Sequence, residues 1–394
     1  MDDKVMVSKK FDAIVVGAGP SGASTAYVLA SAGYKVALVD KGHFPRDKLC
    51  GGGLTGRCQK VYDEIYGDSW DEVIEFRSRG IAFYNNKEYL NRLDDYKTMH
   101  FVYRCDFDYF LARKAEHAGA EFMQGFDIVD IDAQQTTITD RQGNTLQADF
   151  LVGADGIKSI VARKIFSRQF DRDRYAIAME AEIDKKDFTR KVDVPEIYYG
   201  AVKWGYGWVF PKKDHLTIGI AGLYRHNRDI KKIFTDFLEN DLGLSSRVAM
   251  KGFYLPFGSY CKQPGEGNIL LVGDAAGLVD PITGEGIAFA MQSGQLAALS
   301  IIEASNKNAP ASAYRLYRKQ LKNITRTIDH ANYVKHLIYP EFSKRVLLKG
   351  LATSTEKNSI KYYMDLLADE ISYPRYIGRL FRKSGKRIFR LLVS

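Results

Sequence analysis

Residues 17–22, Gly-Ala-Gly-Pro-Ser-Gly, directly follow the apolar, β-branched run Phe11 to Val16 and directly precede Ala23 to Ala32, which read as a helix. Few chain segments limit a fold more. The order is a buried strand, a turn with glycine at its first, third and sixth positions, and a helix, followed by a second strand, Lys35 to Val39, that ends in Asp40. This is the dinucleotide-binding fingerprint in its strand–turn–helix setting. Gly17 serves the tight turn, Gly19 lets backbone approach a pyrophosphate, and Gly22 lets the helix pack on the strand. The helix N-terminus offers unpaired N–H groups to phosphate, and Asp40 is placed to accept from a ribose hydroxyl. The expected class is α/β, beginning with a Rossmann-type nucleotide-binding domain.

Two later stretches indicate FAD rather than a nicotinamide. In "LVGADGIKSIVARK" a buried strand ends at Asp155-Gly156. In "NILLVGDAAGLVDPITGEGIAFAMQSG" another runs into Gly273-Asp274 and a second glycine turn, with a helix from about Gly284. Asp274 sits where a carboxylate can meet a ribityl chain. The helix opened by Gly284 and Gly286 can direct its N-terminus at the flavin edge that becomes anionic on reduction, and that dipole favours the reduced form.

GAGPSG, GADGIKS and GDAAG, in this order, resemble the FAD-dependent hydroxylase-type superfamily, whose reference fold is that of para-hydroxybenzoate hydroxylase, over residues 11 to about 300. The resemblance implies an arginine on a helix against the cofactor, matched by Arg104, and backbone near Ile128 beside the adenine. The implied cofactor set is Gly17, Ala18, Gly19, Ser21, Gly22, Asp40, Lys41, Arg46, Cys50, Gly51, Gly52, Gly53, Arg104, Ile128, Asp155, Gly273, Asp274, Gly284, Gly286 and Ile287. Gly51 to Gly53 are costly in chain entropy unless a Cβ would clash there. The expectation is that the flat isoalloxazine ring lies against them, with Cys50 bordering it.

"PRDKLCGGGLTGR", "GYGWVFPK" and "DPITGEGI" further resemble the geranylgeranyl reductase family, which saturates C=C bonds of isoprenoid chains. Tyr206, Trp208, Phe210 and Pro211 match that family's substrate-side motif. Gly219 has the expected spacing, and Ala221 departs from it where a second glycine is usual. Period-two spacing puts Tyr206, Trp208 and Phe210 on one face of a strand, either as sheet core or as a wall for a prenyl chain, which would contribute roughly 25 cal/mol per Å² of apolar surface buried. If the alkene is protonated first, the cation can be held over an aromatic face at about 0.5–2 kcal/mol, and hydride from reduced flavin completes the addition. Cys50, a tyrosine or a water are the candidate proton donors, so Cys50, Tyr206 and Trp208 are the expected catalytic set.

The charge balance of +9 is uneven: from Ala311 onward 18 Lys+Arg face 6 Asp+Glu, and the preceding residues carry a slight acidic excess. That argues against a basic nucleic-acid cleft. The four cysteines have neither disulfide-framework nor metal-site spacing, so no metal is expected and a reducing, cytoplasmic setting fits. No run of 18 apolar residues suggests a bilayer span. Residues 373–394 carry seven Lys/Arg and no acid at near-helical apolar spacing, which reads as contact with a membrane surface, on the inner face of the cell membrane.

The expected domains are an FAD-binding unit (1–75, 101–165, 262–302), an inserted antiparallel β-sheet substrate domain (76–100, 166–261), and a C-terminal helical lobe (303–394). The electron donor is NAD(P)H or a ferredoxin-like protein, and the substrate an isoprenoid lipid or prenyl diphosphate. Three alternatives stay open. They are a flavin monooxygenase or halogenase, with Lys87 or Lys97 as its lysine, electron transfer to a membrane quinone, and a lipid carrier that keeps FAD structurally.

Overall fold

In a computed structural model, which describes residues 9–168, 170–340 and 357–379, the fingerprint strand Lys9–Val16 lies inside a mostly parallel sheet. It pairs with Val36–Asp40 on one side and Thr145–Gly153 on the other. Glu121–Gln124 and Ile269–Leu271 extend the sheet outward in parallel register. Strands covered on both faces must be apolar throughout, and Val36–Asp40 is buried at every position. The C-terminal ends of three neighbouring strands deliver Gly17, Ala154 and Gly273 to one point.

Two helices meet on that sheet without side chains between them. A Cβ on Gly22 would overlap the Gly17 carbonyl oxygen, and a Cβ on Gly294 would overlap the Ser21 carbonyl oxygen. Helix Pro20–Ser31 can therefore lie backbone to backbone against helix Ile287–Asn306. The latter is long and apolar enough to cross a membrane, yet 72% of its apolar window is buried. It is a core helix here.

The second sheet has seven strands in the order 251–255, 176–184, 215–223, 205–211, 196–199, 81–85, 88–93. All neighbours are antiparallel except Glu196–Tyr199 with Ile81–Asn85. One face packs on the helix at 230–241 through Ile230, Phe234, Phe237 and Leu238. The other holds Ala178, Trp208, Ala221 and Phe83 and looks toward the nucleotide-binding sheet. Ile81–Asn85 and Glu88–Leu93 form a hairpin whose turn is Asn86-Lys87, where Asn86 takes φ +49°.

The lobes are drawn differently from the sequence reading at two places. Phe76–Ser78 and Met99–Phe101 do not join the substrate sheet: they pair with each other and with Gly53–Leu54 in a three-stranded sheet between the lobes. The helical region also divides. Ala313, Tyr317, Leu321, Ile324 and Ile328 belong to the nucleotide-binding core, whereas Ile360, Met364 and Leu367 pack on the substrate sheet. Residues 373–379 are helical and bury Tyr373 and Tyr376. Residues 380–394, most of the expected membrane-contacting tail, lie outside the described residues.

Replacing Gly22 by Ala should destabilise the protein by about 3 kcal/mol or more through overpacking against rigid backbone. Ala at Gly378, which has nothing within 4 Å of its Cβ position, should stay within about 0.5 kcal/mol. Thermal unfolding of the two variants side by side measures this contrast.

Candidate functional site

Gly17 adopts φ +100°, and a Cβ there would approach the Ala154 carbonyl oxygen at 2.5 Å. The turn thus brings the first strand's end against the third strand's end. Helix Pro20–Ser31 starts at Gly19 with no side-chain cap and no acid in its first turn. Asp40 is buried, its Oδ2 accepting from the Ala18 N–H at 2.8 Å and its Oδ1 from the Gly42 N–H at 2.8 Å. Arg46 Nη2 donates to it at 3.3 Å. A carboxylate has about four acceptor sites, so Asp40 keeps room for one more donor. Lys41 is exposed. Ile128 opens the strand Ile128–Asp132 on an antiparallel hairpin beside the main sheet.

Arg104 is buried and grips Asp108 with two bonds, from Nε at 2.7 Å and Nη2 at 2.9 Å. Asp108 also faces Arg46 at 3.6 Å and has no exposed surface. This carboxylate ties two cofactor-side arginines together. Its one-turn spacing from Arg104 is the signal that could have found it.

The neighbours of the three glycines are protein groups. A Cβ on Gly51 would approach the Phe210 ring at 2.8 Å and Trp208 Nε1 at 2.9 Å. Gly52 has φ +70°, and its Cβ would overlap the Val102 carbonyl oxygen. Gly53 faces Phe101 and Phe210 at 3.5 Å. Protein groups alone thus account for two of the missing Cβ atoms. The aromatic wall and the Val102 carbonyl already require glycine at 51 and 52. Tyr206, Trp208 and Phe210 do share one face, with successive ring centroids 6.2 Å apart. Gly219 is needed because a Cβ would overlap the Trp208 ring.

Asp155 is turned inward and only one of its oxygens is engaged. Its Oδ2 accepts from the N–H groups of Ile160 at 2.6 Å and Val161 at 3.3 Å, capping helix Ile160–Phe166. Its Oδ1 is buried with no partner among the described residues, and burial raises its pKa. Asp274 lies in the first turn of the short helix Gly273–Ala276. Gly273 takes φ +55° against Ser21 Oγ, which a Cβ would approach at 2.7 Å.

The 280–286 loop is held from two sides. The Tyr206 hydroxyl donates to the Thr283 carbonyl at 2.5 Å and fills the space a Cβ on Gly284 would need. Asp280 accepts from Tyr373 Oη at 2.8 and 2.7 Å. Glu285 accepts from Thr55 and from buried Arg57, and Arg57 reaches on to Asp369 at 3.0 Å. Helix Ile287–Asn306 then begins at Gly286, again with no side-chain cap and no acid in its first turn.

Titratable groups that the sequence reading passed over surround the glycine loop. Lys212, 1% exposed, donates to the Gly51 carbonyl at 2.6 Å. Desolvation lowers its pKa to about 8 despite nearby Glu182 and Glu180. Glu180 is 8% exposed, and desolvation, with Glu182 alongside, raises its pKa to about 7. Lys48 is shifted downward by burial, with Asp274 and Arg104 close enough to act on it. The signal was available: Glu180 and Glu182 alternate with apolar residues on a strand whose other face is core.

These residues fit FAD. Two uncapped helix starts suit a pyrophosphate and the anionic flavin edge. Asp40 has an acceptor site left for a ribose, and buried Asp155 Oδ1 is a polar atom in want of a partner.

A family model described as an FAD binding domain matches residues 10–330. Geranylgeranyl diphosphate reductase of Arabidopsis thaliana chloroplasts is 30% identical over 320 residues, 76% of this chain and 67% of that protein. Menaquinone reductase of Mycobacterium tuberculosis is 29% identical over 317 residues, 74% and 76% respectively. The solved structure of a geranylgeranyl bacteriochlorophyll reductase-like protein from Thermoplasma acidophilum superimposes with a TM-score of 0.73 at 23% identity, covering 95% and 96%. Flavin-dependent brominase and monooxygenase structures share the fold as well.

Lys212→Met tests the burial of the lysine. The unfolded chain holds the proton up to about pH 10.5 and the folded one only to about pH 8, so wild-type stability relative to the variant should rise across that window. The expected gain is up to about 3 kcal/mol, read from denaturant unfolding at pH 7 and pH 10.5.

Proposed function

The chain belongs to the FAD-binding domain family, and from that membership we propose that this oxidoreductase saturates C=C bonds of isoprenoid chains, acting on an isoprenoid lipid or prenyl diphosphate. The observation that carries the reading is the wall of Tyr206, Trp208 and Phe210, packed directly against the glycine loop at 51–53. The named reductase relatives support the same direction. FAD, when bound, supplies a two-electron hydride donor.

The chain's own residues do the rest. The arginines at 46 and 104 are joined through Asp108, with Asp40 on Arg46, in a charge-balanced cluster that fixes the cofactor side. Lys212 clamps the loop at Gly51 so that its backbone stays in register with the wall. The tyrosines behind Tyr206 extend the apolar surface. Tyr199, Tyr339 and Tyr363 all lie near enough to influence one another, and burial pushes each pKa upward, so all remain neutral. A neutral, water-poor, aromatic lining suits a flexible hydrocarbon and holds back solvent from the reacting carbons. The electrons would come from NAD(P)H or a ferredoxin-like protein.

The halogenase alternative loses its two proposed lysines. Lys97 is paired with Glu370 at 2.7 Å and Asp365 at 3.6 Å, and Lys87 is exposed at the hairpin turn.

The test is mass spectrometry of prenyl diphosphates and membrane lipids incubated with chemically reduced holoenzyme. Products should gain hydrogen pairs; products that gain an oxygen or halogen atom would replace this reading. Trp208→Ala should weaken binding of the prenyl chain by about 2 kcal/mol, roughly thirtyfold, measured as the chain's Kd on the oxidised holoenzyme.

A further inference from the structure

Saturating an alkene needs a proton as well as a hydride, and the structure points to one buried carboxyl group for it. Strand Ala176–Asp184 and strand Gly205–Pro211 both pair with strand His215–Leu223, so Glu180 and Trp208 are opposite the same residue, Gly219. The two side chains emerge on one face, and the indole lies over Gly219, where a Cβ would overlap it. Glu180 is thus the next side chain beyond the ring in that row.

Two polar atoms on this face are buried with no partner among the described residues: Glu180 Oε2 and Trp208 Nε1. An unpaired buried polar atom costs about 1–3 kcal/mol, and two together on the wall proposed to line the substrate mark a place where a ligand or reacting group completes the set. The carboxyl also lies close enough to the loop for the Cys50 backbone N–H to act on it.

Resting on the reductase reading, we propose that Glu180 is the acid that delivers the proton to the prenyl double bond. The π pair of the alkene takes the carboxyl proton and forms one C–H bond, leaving Glu180 as carboxylate. Hydride from the dihydroflavin, the reductant, forms the second C–H bond at the neighbouring carbon. The alkene is reduced, the dihydroflavin is oxidised, and Glu180 regains its proton from solvent.

The surroundings keep the proton available near neutrality. On its own strand Glu182, held by Thr217 Oγ1 at 2.8 Å, disfavours a second negative charge. Lys212 opposes this from the end of the aromatic strand, and Asp47, ion-paired with Lys251, acts from the rim. Burial outweighs the rest, so the acid form persists to about pH 7. Cys50, the expected donor, lies beside Glu180 on the glycine loop, where its backbone N–H favours the carboxylate.

The experiment uses FAD-loaded enzyme, reduced with dithionite without oxygen and mixed with geranylgeranyl diphosphate for a single turnover. The wild-type rate should fall as pH rises through about 7, and the product formed in D2O should carry a solvent deuteron on the carbon that takes the proton, besides the deuterium that a solvent-exchanged flavin N5 position delivers to its neighbour. Glu180→Gln keeps the size and shape of the side chain and should bind FAD in equal stoichiometry. It should lose about 100-fold in rate together with the pH dependence, and Glu180→Asp should recover part of both. Isotope-edited infrared spectra at pH 6 should show a protonated carboxyl in the wild type that is missing in Glu180→Gln. A Glu180→Gln rate within threefold of a wild type that does saturate the chain overturns the role of Glu180 alone, as does an ionised Glu180 at pH 6. A wild type that saturates no isoprenoid overturns the functional reading, and the role with it.

Discussion

Backbone-to-backbone contact at one point of the nucleotide-binding lobe is the constraint on which the rest of the structure depends. Gly17, Gly22, Gly273 and Gly294 each face a carbonyl or a serine so closely that no Cβ would fit. Close packing at these positions brings the ends of three parallel strands and two helices together. It leaves the starts of both helices, at Gly19 and Gly286, free of side-chain caps. The anion-binding character of the site follows from this packing more than from its charged residues.

A second close approach joins this lobe to the substrate sheet. The glycine loop at 51–53 is pressed between the aromatic wall and the Val102 carbonyl and is clamped by Lys212. Burying a lysine is expensive unless its donors find acceptors, and here the acceptor is the loop's own carbonyl. The aromatic wall and the cofactor side are therefore positioned by the same few residues. The 280–286 loop adds a third link, since Tyr206, Arg57 and Tyr373 reach it from the seven-stranded sheet, helix Gly56–Tyr66 and the helix at 373–379.

Much of this was legible along the chain. The strand–turn–helix fingerprint, the two later glycine turns and the alternation of Tyr206, Trp208 and Phe210 are local patterns, written in residues one to six apart. Contacts that depend on long-range partners were not legible. Nothing in the sequence announces that Phe210, Trp208 and Val102 come to rest on Gly51 and Gly52. Nor does it announce that Asp155 Oδ2 accepts from the following helix. The three-stranded sheet in which Met99–Phe101 pairs with Phe76–Ser78 on one side and Gly53–Leu54 on the other appears only after folding.

The sequence by itself determined the class of fold, the dinucleotide site and the aromatic strand, because each rests on backbone geometry that a few neighbouring residues impose. Only the tertiary structure decided which charged groups are buried and what they face. Glu180, Lys212 and Asp108 are unexceptional in the chain. Their chemistry comes from desolvation and from partners on other elements, and both exist only once the sheets have packed.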